Sequence, residues 1–173
     1  MWKTLTNRSA AWLLAGLCLG LLVRGAWPES PVLAMATDSD EFGAIATGPL
    51  DDSLEGFFYL DFTTGELRGT ALSPITRKFF ANFRANVARD LGIDLRRNPR
   101  FLLTTGSAMF RPAAGPVQPA NAIVYVYELT SGKVAAYAVP WSQAQATTGA
   151  PIRNAALKLL DVKQLRAPEP PEE

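Results

Sequence analysis

One stretch of this chain occurs twice, and that constrains the fold more than anything else in it. Phe57-Phe58-Tyr59-Leu60-Asp61-Phe62-Thr63-Thr64-Gly65-Glu66-Leu67 aligns with Val124-Tyr125-Val126-Tyr127-Glu128-Leu129-Thr130-Ser131-Gly132-Lys133-Val134 once Gly65 and Gly132 are superposed. Asp61 then falls on Glu128, Thr63 on Thr130 and Leu72 on Val139. Self-similarity of this kind reads as one structural unit used twice. In each copy an aromatic and β-branched run leads into Thr-Thr-Gly or Thr-Ser-Gly and then a second apolar run. That is the order of a β-hairpin whose glycine supplies the left-handed residue. An acidic side chain four residues before that glycine is placed to accept hydrogen bonds from its own turn. Asp61, Gly65, Glu128 and Gly132 are therefore expected to be structural turn residues.

Upstream, Ala44-Ile45-Ala46-Thr47-Gly48 resembles Leu102-Leu103-Thr104-Thr105-Gly106, with nine extra residues before the second central strand. These lie in the Pro-, Ala- and Gly-rich stretch 107–122, which reads as a loop. Each copy is thus expected to be a three-stranded antiparallel meander, over residues 42–72 and 101–139. Between them, Phe79, Phe80, Phe83, Val87 and Leu91 form one apolar stripe at helical spacing. With Pro74 before it and Gly92 as a C-cap, the stripe predicts an amphipathic helix over 76–91. A last strand is expected over 157–165, and 167–173 (APEPPEE) is too Pro-rich and acidic to pack. The expected fold class is α+β: two three-stranded meander repeats with one amphipathic helix between them, forming a single domain over 37–166.

The hairpin pattern resembles the blade hairpins of quinoprotein-type β-propellers. A propeller closes with about four or more blades, so the likeness is to a building block and implies no quinone site. Over most of the domain the chain also resembles a set of small exported proteins of planctomycete-type bacteria. The shared features are Ala46-Thr47-Gly48-Pro49, Leu60-Asp61-Phe62-Thr63-Thr64-Gly65, Asn86-Val87-Ala88-Arg89-Asp90-Leu91-Gly92, Asn98-Pro99-Arg100 with Thr105-Gly106, and Val139-Pro140-Trp141. This resemblance implies an architecture and an address, and no activity.

The N-terminus carries its own address signal. Lys3 and Arg8 precede residues 10–23, fourteen residues without a charge, the layout of a secretory signal. A small-x-small site follows at Ala34-Met35-Ala36. Two readings stay open: release after Ala36, or an uncleaved membrane anchor over residues 10–27 with the globular part outside. Both export the domain, and any membrane contact would run through this segment alone.

Composition narrows the chemistry. The 173 residues contain no His and one Cys, which excludes Ser-His-Asp and Cys-His sites, His-ligated zinc, disulfides within the chain and CxxC centres. No GxSxG, GxGxxG or GxxxxGK[ST] occurs. Asp61 and Glu128 could serve as an acid/base pair only if the two copies brought them together; turn capping is the stronger expectation, and no catalytic residue is assigned. The acidic groups Asp38/Asp40/Glu41 and Asp51/Asp52/Glu55 lack EF-hand spacing and read as solvated loops, so neither a metal nor a cofactor is expected. Trp141 suits either a core plug or an exposed platform.

The net charge of +1 conceals a division along the chain. Residues 37–66 carry eight acids and no base, whereas 77–111 carry eight bases against Asp90 and Asp94. Arg77, Lys78, Arg84, Arg89, Arg96 and Arg97 are the candidate anion-binding set. Nucleic acid is not the expected partner, because the aromatics do not interleave with the arginines. What remains is an exported, non-enzymatic accessory or interaction module of the cell envelope, meeting another envelope protein by strand addition or an anionic surface polymer. A small envelope enzyme using acidic residues is the competing class.

Overall fold

The computed structural model describes residues 12–14, 16–18, 36–110 and 117–167. Two compact units divide the chain, Met1–Leu33 and Ala34–Glu173. In the first, residues 12–14 and 16–18 are helical. Among the described residues no helix is long and apolar enough to cross a membrane, which corrects the expectation of an anchoring helix over 10–27. The uncharged run there is shorter than the roughly 20 residues that a spanning helix needs. Most of that run, residues 34 and 35 of the cleavage motif, and tail residues 168–173 lie outside the described residues.

The second unit is mostly β. Six strands form one sheet: β1 (Thr37–Ser39), β2 (Gly43–Pro49), β3 (Glu55–Asp61), β4 (Glu66–Leu72), β5 (Phe79–Asn86) and β9 (Ile152–Ala156), side by side in that order. Four form the other, in the order β10 (Lys158–Gln164), β8 (Lys133–Trp141), β7 (Gln118–Glu128), β6 (Phe101–Ser107). All neighbours are antiparallel except β9, which runs parallel to β5. Among the described residues of this unit, helix is confined to α1 (Val87–Leu91), a 3-10 turn (Leu95–Arg97) and α2 (Gln143–Thr148).

The α+β expectation of two three-stranded repeats around an amphipathic helix is therefore overturned. Residues 79–86 are a strand, and only Val87–Leu91 is helical. The cause is a bulge. Leu72 pairs with Phe79 and Ala71 with Ala81, so Phe80 is an extra residue and lies buried beside buried Ala81. From Ala81 onward the strand alternates in and out, with Phe83 inside and Asn82 and Arg84 outside. A bulged strand run into a short helix thus places Phe80, Phe83, Val87 and Leu91 on apolar positions whose spacing imitates one helical face. The helix starts where a cap permits it: Asn86 is extended, and its side chain accepts from the Arg89 N–H at 2.8 Å. Gly92, at φ 67°, ends it.

The repeated element has a fourth strand. Beyond each hairpin a further antiparallel strand returns, β5 beside β4 and β10 beside β8. Each strand's exit is tied back to the hairpin glycine: Val87 N–H donates to Gly65 C=O at 2.8 Å, and Leu165 N–H to Gly132 C=O at 2.9 Å. β1 and β9 lie outside this repeat.

The sheets share one core. Phe58, Leu60, Leu67 and Phe83 from the larger sheet are fully buried, as are Val124, Val126, Tyr137 and Val139 from the smaller. Each such side chain contributes roughly 1.5–3 kcal/mol. Trp141 is a core residue, 6.0 Å from the Phe80 ring and 6.5 Å from Phe83, with its indole N–H donating to Asp51 at 3.0 Å. Gly69 lies opposite Phe58 across the β3–β4 ladder, and a Cβ there would come within 2.8 Å of the Phe58 ring. The missing side chain is what allows Phe58 to lie flat on the sheet.

Candidate functional site

The strand alternation that buries one face of the larger sheet lays unusual residues on the other. Ile45, Tyr59, Arg68 and Arg84 are successive partners across β2, β3, β4 and β5. The adjacent row is Thr47, Phe57, Thr70 and Asn82. Phe57 is 41% exposed and Phe79 71%. An open groove of about 620 Å³ runs between Phe57, Tyr59, Arg68, Phe79, Asn82 and Arg153. Exposed aromatics on a solvent-facing sheet mark a binding surface more often than chance.

Arg68 and Arg84 are direct cross-strand partners, an unfavourable pairing of like charges. Arg68 is relieved by Glu66, with contacts of 2.6 and 3.0 Å. Among the described residues, Arg84 and Arg153 have no carboxylate within ion-pair distance. At the opposite flank, Asp38 and Asp40 line a smaller recess with Tyr59. The face therefore grades from acidic at β1 to cationic at β5 and β9, with aromatics between.

The candidate cations named from sequence do not form one cluster. Arg84 belongs to the groove row. Arg77, at φ 56°, and Lys78 lie at the β4–β5 turn. Arg89 pairs with Asp90 and Arg96 with Asp94. Arg97 lines a separate recess of about 370 Å³ with Asp94, Glu128 and Lys133. The sequence reading missed Phe57, Tyr59, Arg68 and Arg153 as surface residues. The signal was present in β3, which is aromatic at 57 and 59 as well as at 58, so one of its faces had to carry aromatics into solvent or against a partner.

The turn residues occupy equivalent geometry. Asp61 accepts from the N–H groups of Thr63 and Thr64 at 2.8 and 3.2 Å; Glu128 accepts from Thr130 and Ser131 at 3.0 and 2.6 Å. Gly65 and Gly132 have φ of 64° and 70°. Desolvation opposes ionisation of both carboxyls, yet hydrogen bonds from Thr64 and Thr63, and from Ser131 and Thr130, outweigh it and hold each below its ordinary pKa. Catalytic acids need the opposite shift, toward neutrality. Glu128 lines its recess without Asp61, and both Glu128 oxygens and the Oδ1 of Asp61 accept from turn backbone. Among the described residues no three His, Cys, Asp or Glu side chains converge as a metal site. Burial, reinforced by the charge and hydrogen bond of Asp90 at 3.2 Å, pushes the Tyr137 phenol far above its ordinary value. That leaves it a structural donor at neutral pH.

The described unit is thus a two-sheet β domain with an aromatic and arginine-bearing outer face. No protein-family model, no curated protein and no solved structure matches the chain.

Proposed function

We propose that this protein is an exported, non-enzymatic accessory module of the cell envelope that binds acidic polymers on the outer face of its larger sheet. The single observation that carries the reading is the cross-strand row Tyr59–Arg68–Arg84, flanked by Phe57, Phe79 and Arg153. Guanidinium groups pair with carboxylate or phosphate through forked hydrogen bonds. Aromatic faces beside them pack on the apolar face of a sugar ring. An acidic glycan presents both features in one repeating chain. The acidic flank at Asp38 and Asp40 repels such a ligand from β1 and so steers it toward β5 and β9. Export is supported by Lys3 and Arg8 ahead of the uncharged run and by Ala34-Met35-Ala36 before the acidic stretch.

The test is retention on immobilised polygalacturonate against a neutral glucan at low salt, with Arg84→Ala and Arg153→Ala alongside the parent chain. Binding to the acidic matrix alone, lost in the variants and eluted by salt, supports the assignment. No retention, or equal retention on the neutral matrix, refutes it. N-terminal sequencing of protein from its host reads export separately, a terminus at Thr37 being the expected result.

A further inference from the structure

β10 is a strand with three open sides. All seven of its residues are exposed, it is the edge of the smaller sheet, and among the described residues only β8 pairs with it. Leu159, Leu160 and Val162 are 36–40% exposed. Val162 lies level with Ala135, and Leu159 with Tyr137, both fully buried on the core face. The strand therefore carries that apolar face past the last covered strand. Edges of this kind are templates for strand addition.

The direction of the outward backbone groups is defined. Leu165 N–H donates to Gly132 C=O on the β8 side; by alternation along an antiparallel ladder, Lys163 and Asp161 also bond toward β8, while Gln164 and Val162 bond outward. The Val162 N–H agrees: it is held by the neighbouring Asp161 carboxylate at 2.9 Å rather than by β8, a local contact that an added strand must displace.

We propose that a second copy of this chain occupies the edge, with β10 pairing antiparallel to its counterpart about a two-fold axis at Val162. In that register Val162 faces its own copy as the hydrogen-bonded pair and Leu160 faces Gln164. Asp161 faces Lys163 twice, in the non-hydrogen-bonded position where side chains are closest. The strand's charges are thus complementary to themselves, which favours a second copy over a heterologous strand. Two sheets of four strands become one continuous sheet, and symmetry closes the assembly at two. The bulge between Leu159 and Asp161 limits the pairing to about this length, so association depends on concentration.

Sedimentation equilibrium of the full chain tests the register. The parent should form a reversible dimer. Asp161→Lys and Lys163→Asp each place like charges opposite one another and should weaken association about tenfold. Mixed one to one, the two variants face each other with opposite charges at both contacts and should dimerise as the parent does. Unchanged thermal unfolding of each variant, expected for exposed residues, separates the effect from misfolding. A parent that stays monomeric at high concentration overturns the proposal, as do single variants that associate like the parent or a mixture that fails to recover.

Discussion

The side chain of Thr105, in β6, donates its hydroxyl to the backbone carbonyl of Thr47, in β2, and so bonds one sheet directly to the other. Thr37 adds a second stitch to the Leu103 carbonyl at 2.7 Å, and Asn121 N–H a third to Leu50 at 3.0 Å. Gly48 makes room, because a Cβ there would lie 3.0 Å from Thr105 Cβ. Thr105 is buried, where an unmade hydrogen bond is costly. Thr105→Val keeps the shape and removes the donor, so it should destabilise the fold by about 1–3 kcal/mol, with Thr105→Ser close to the parent. Urea unfolding of the two variants checks this; equal midpoints would remove the stitch from the account.

Gly65 and Gly92 share a left-handed backbone, at φ 64° and 67°, in different surroundings. A Cβ at Gly65 would stand 2.5 Å from Ala88 Cβ, whereas nothing lies within 4 Å of one at Gly92. Gly92→Ala should therefore cost only the conformational penalty, about 1–2 kcal/mol. Gly65→Ala should cost that plus displacement of α1 from the hairpin that holds it. Paired thermal melts measure the difference, and a Gly65→Ala variant no less stable than Gly92→Ala would show that α1 is not seated on the turn.

What the sequence disclosed was local chemistry. The acidic-x-Thr-x-Gly turns were legible because Asp61, Gly65, Glu128 and Gly132 satisfy each turn within five residues. The position of Gly92 marked the end of α1 for the same reason. The β5 strand was hidden because a bulge at Phe80 broke its alternation, and bulges arise from pairing with β4 rather than from the residues themselves. β9 is short and pairs in parallel through an irregular register, with Asn154 at φ 51°, so no period survives to be read. The groove depends on which of two aromatic faces of β3 meets the other sheet, a choice made by tertiary packing alone.

Acid should unfold the domain in part through the two turn carboxylates. Both are held below their ordinary pKa in the folded state. Their contribution is thus fully present above the unfolded value, near pH 4, and is lost as pH falls through the lower folded value. Glu128→Gln removes one titrating group and leaves a single acceptor for two N–H donors. The variant should be less stable than the parent at pH 7, and the gap should narrow below pH 4. Urea midpoints between pH 2 and pH 7 report this; a gap independent of pH would mean that ionisation of Glu128 contributes nothing.

Phe58 and Tyr59 are chain neighbours on opposite faces of β3, which allows stability and binding to be separated. Phe58 is fully buried against Gly56 and Gly69, and its replacement by Ala empties the centre of the larger sheet's core face. That substitution should cost about 3–5 kcal/mol. Tyr59 is 37% exposed, partners Ile45 and Arg68 across the surface ladder and lays its ring over Gly43; Tyr59→Ala forfeits surface contacts worth about 1 kcal/mol. On an acidic polysaccharide the order should reverse. Tyr59→Ala should lose retention while remaining folded, because the ring separates the acidic recess at Asp38 from the arginines at β4 and β5. Phe58→Ala, assayed below its lowered melting temperature, should keep its retention, since the outer face carries none of the Phe58 side chain. If Tyr59→Ala binds as the parent does, the aromatic contribution to the site is absent, and only the arginines remain to account for any binding.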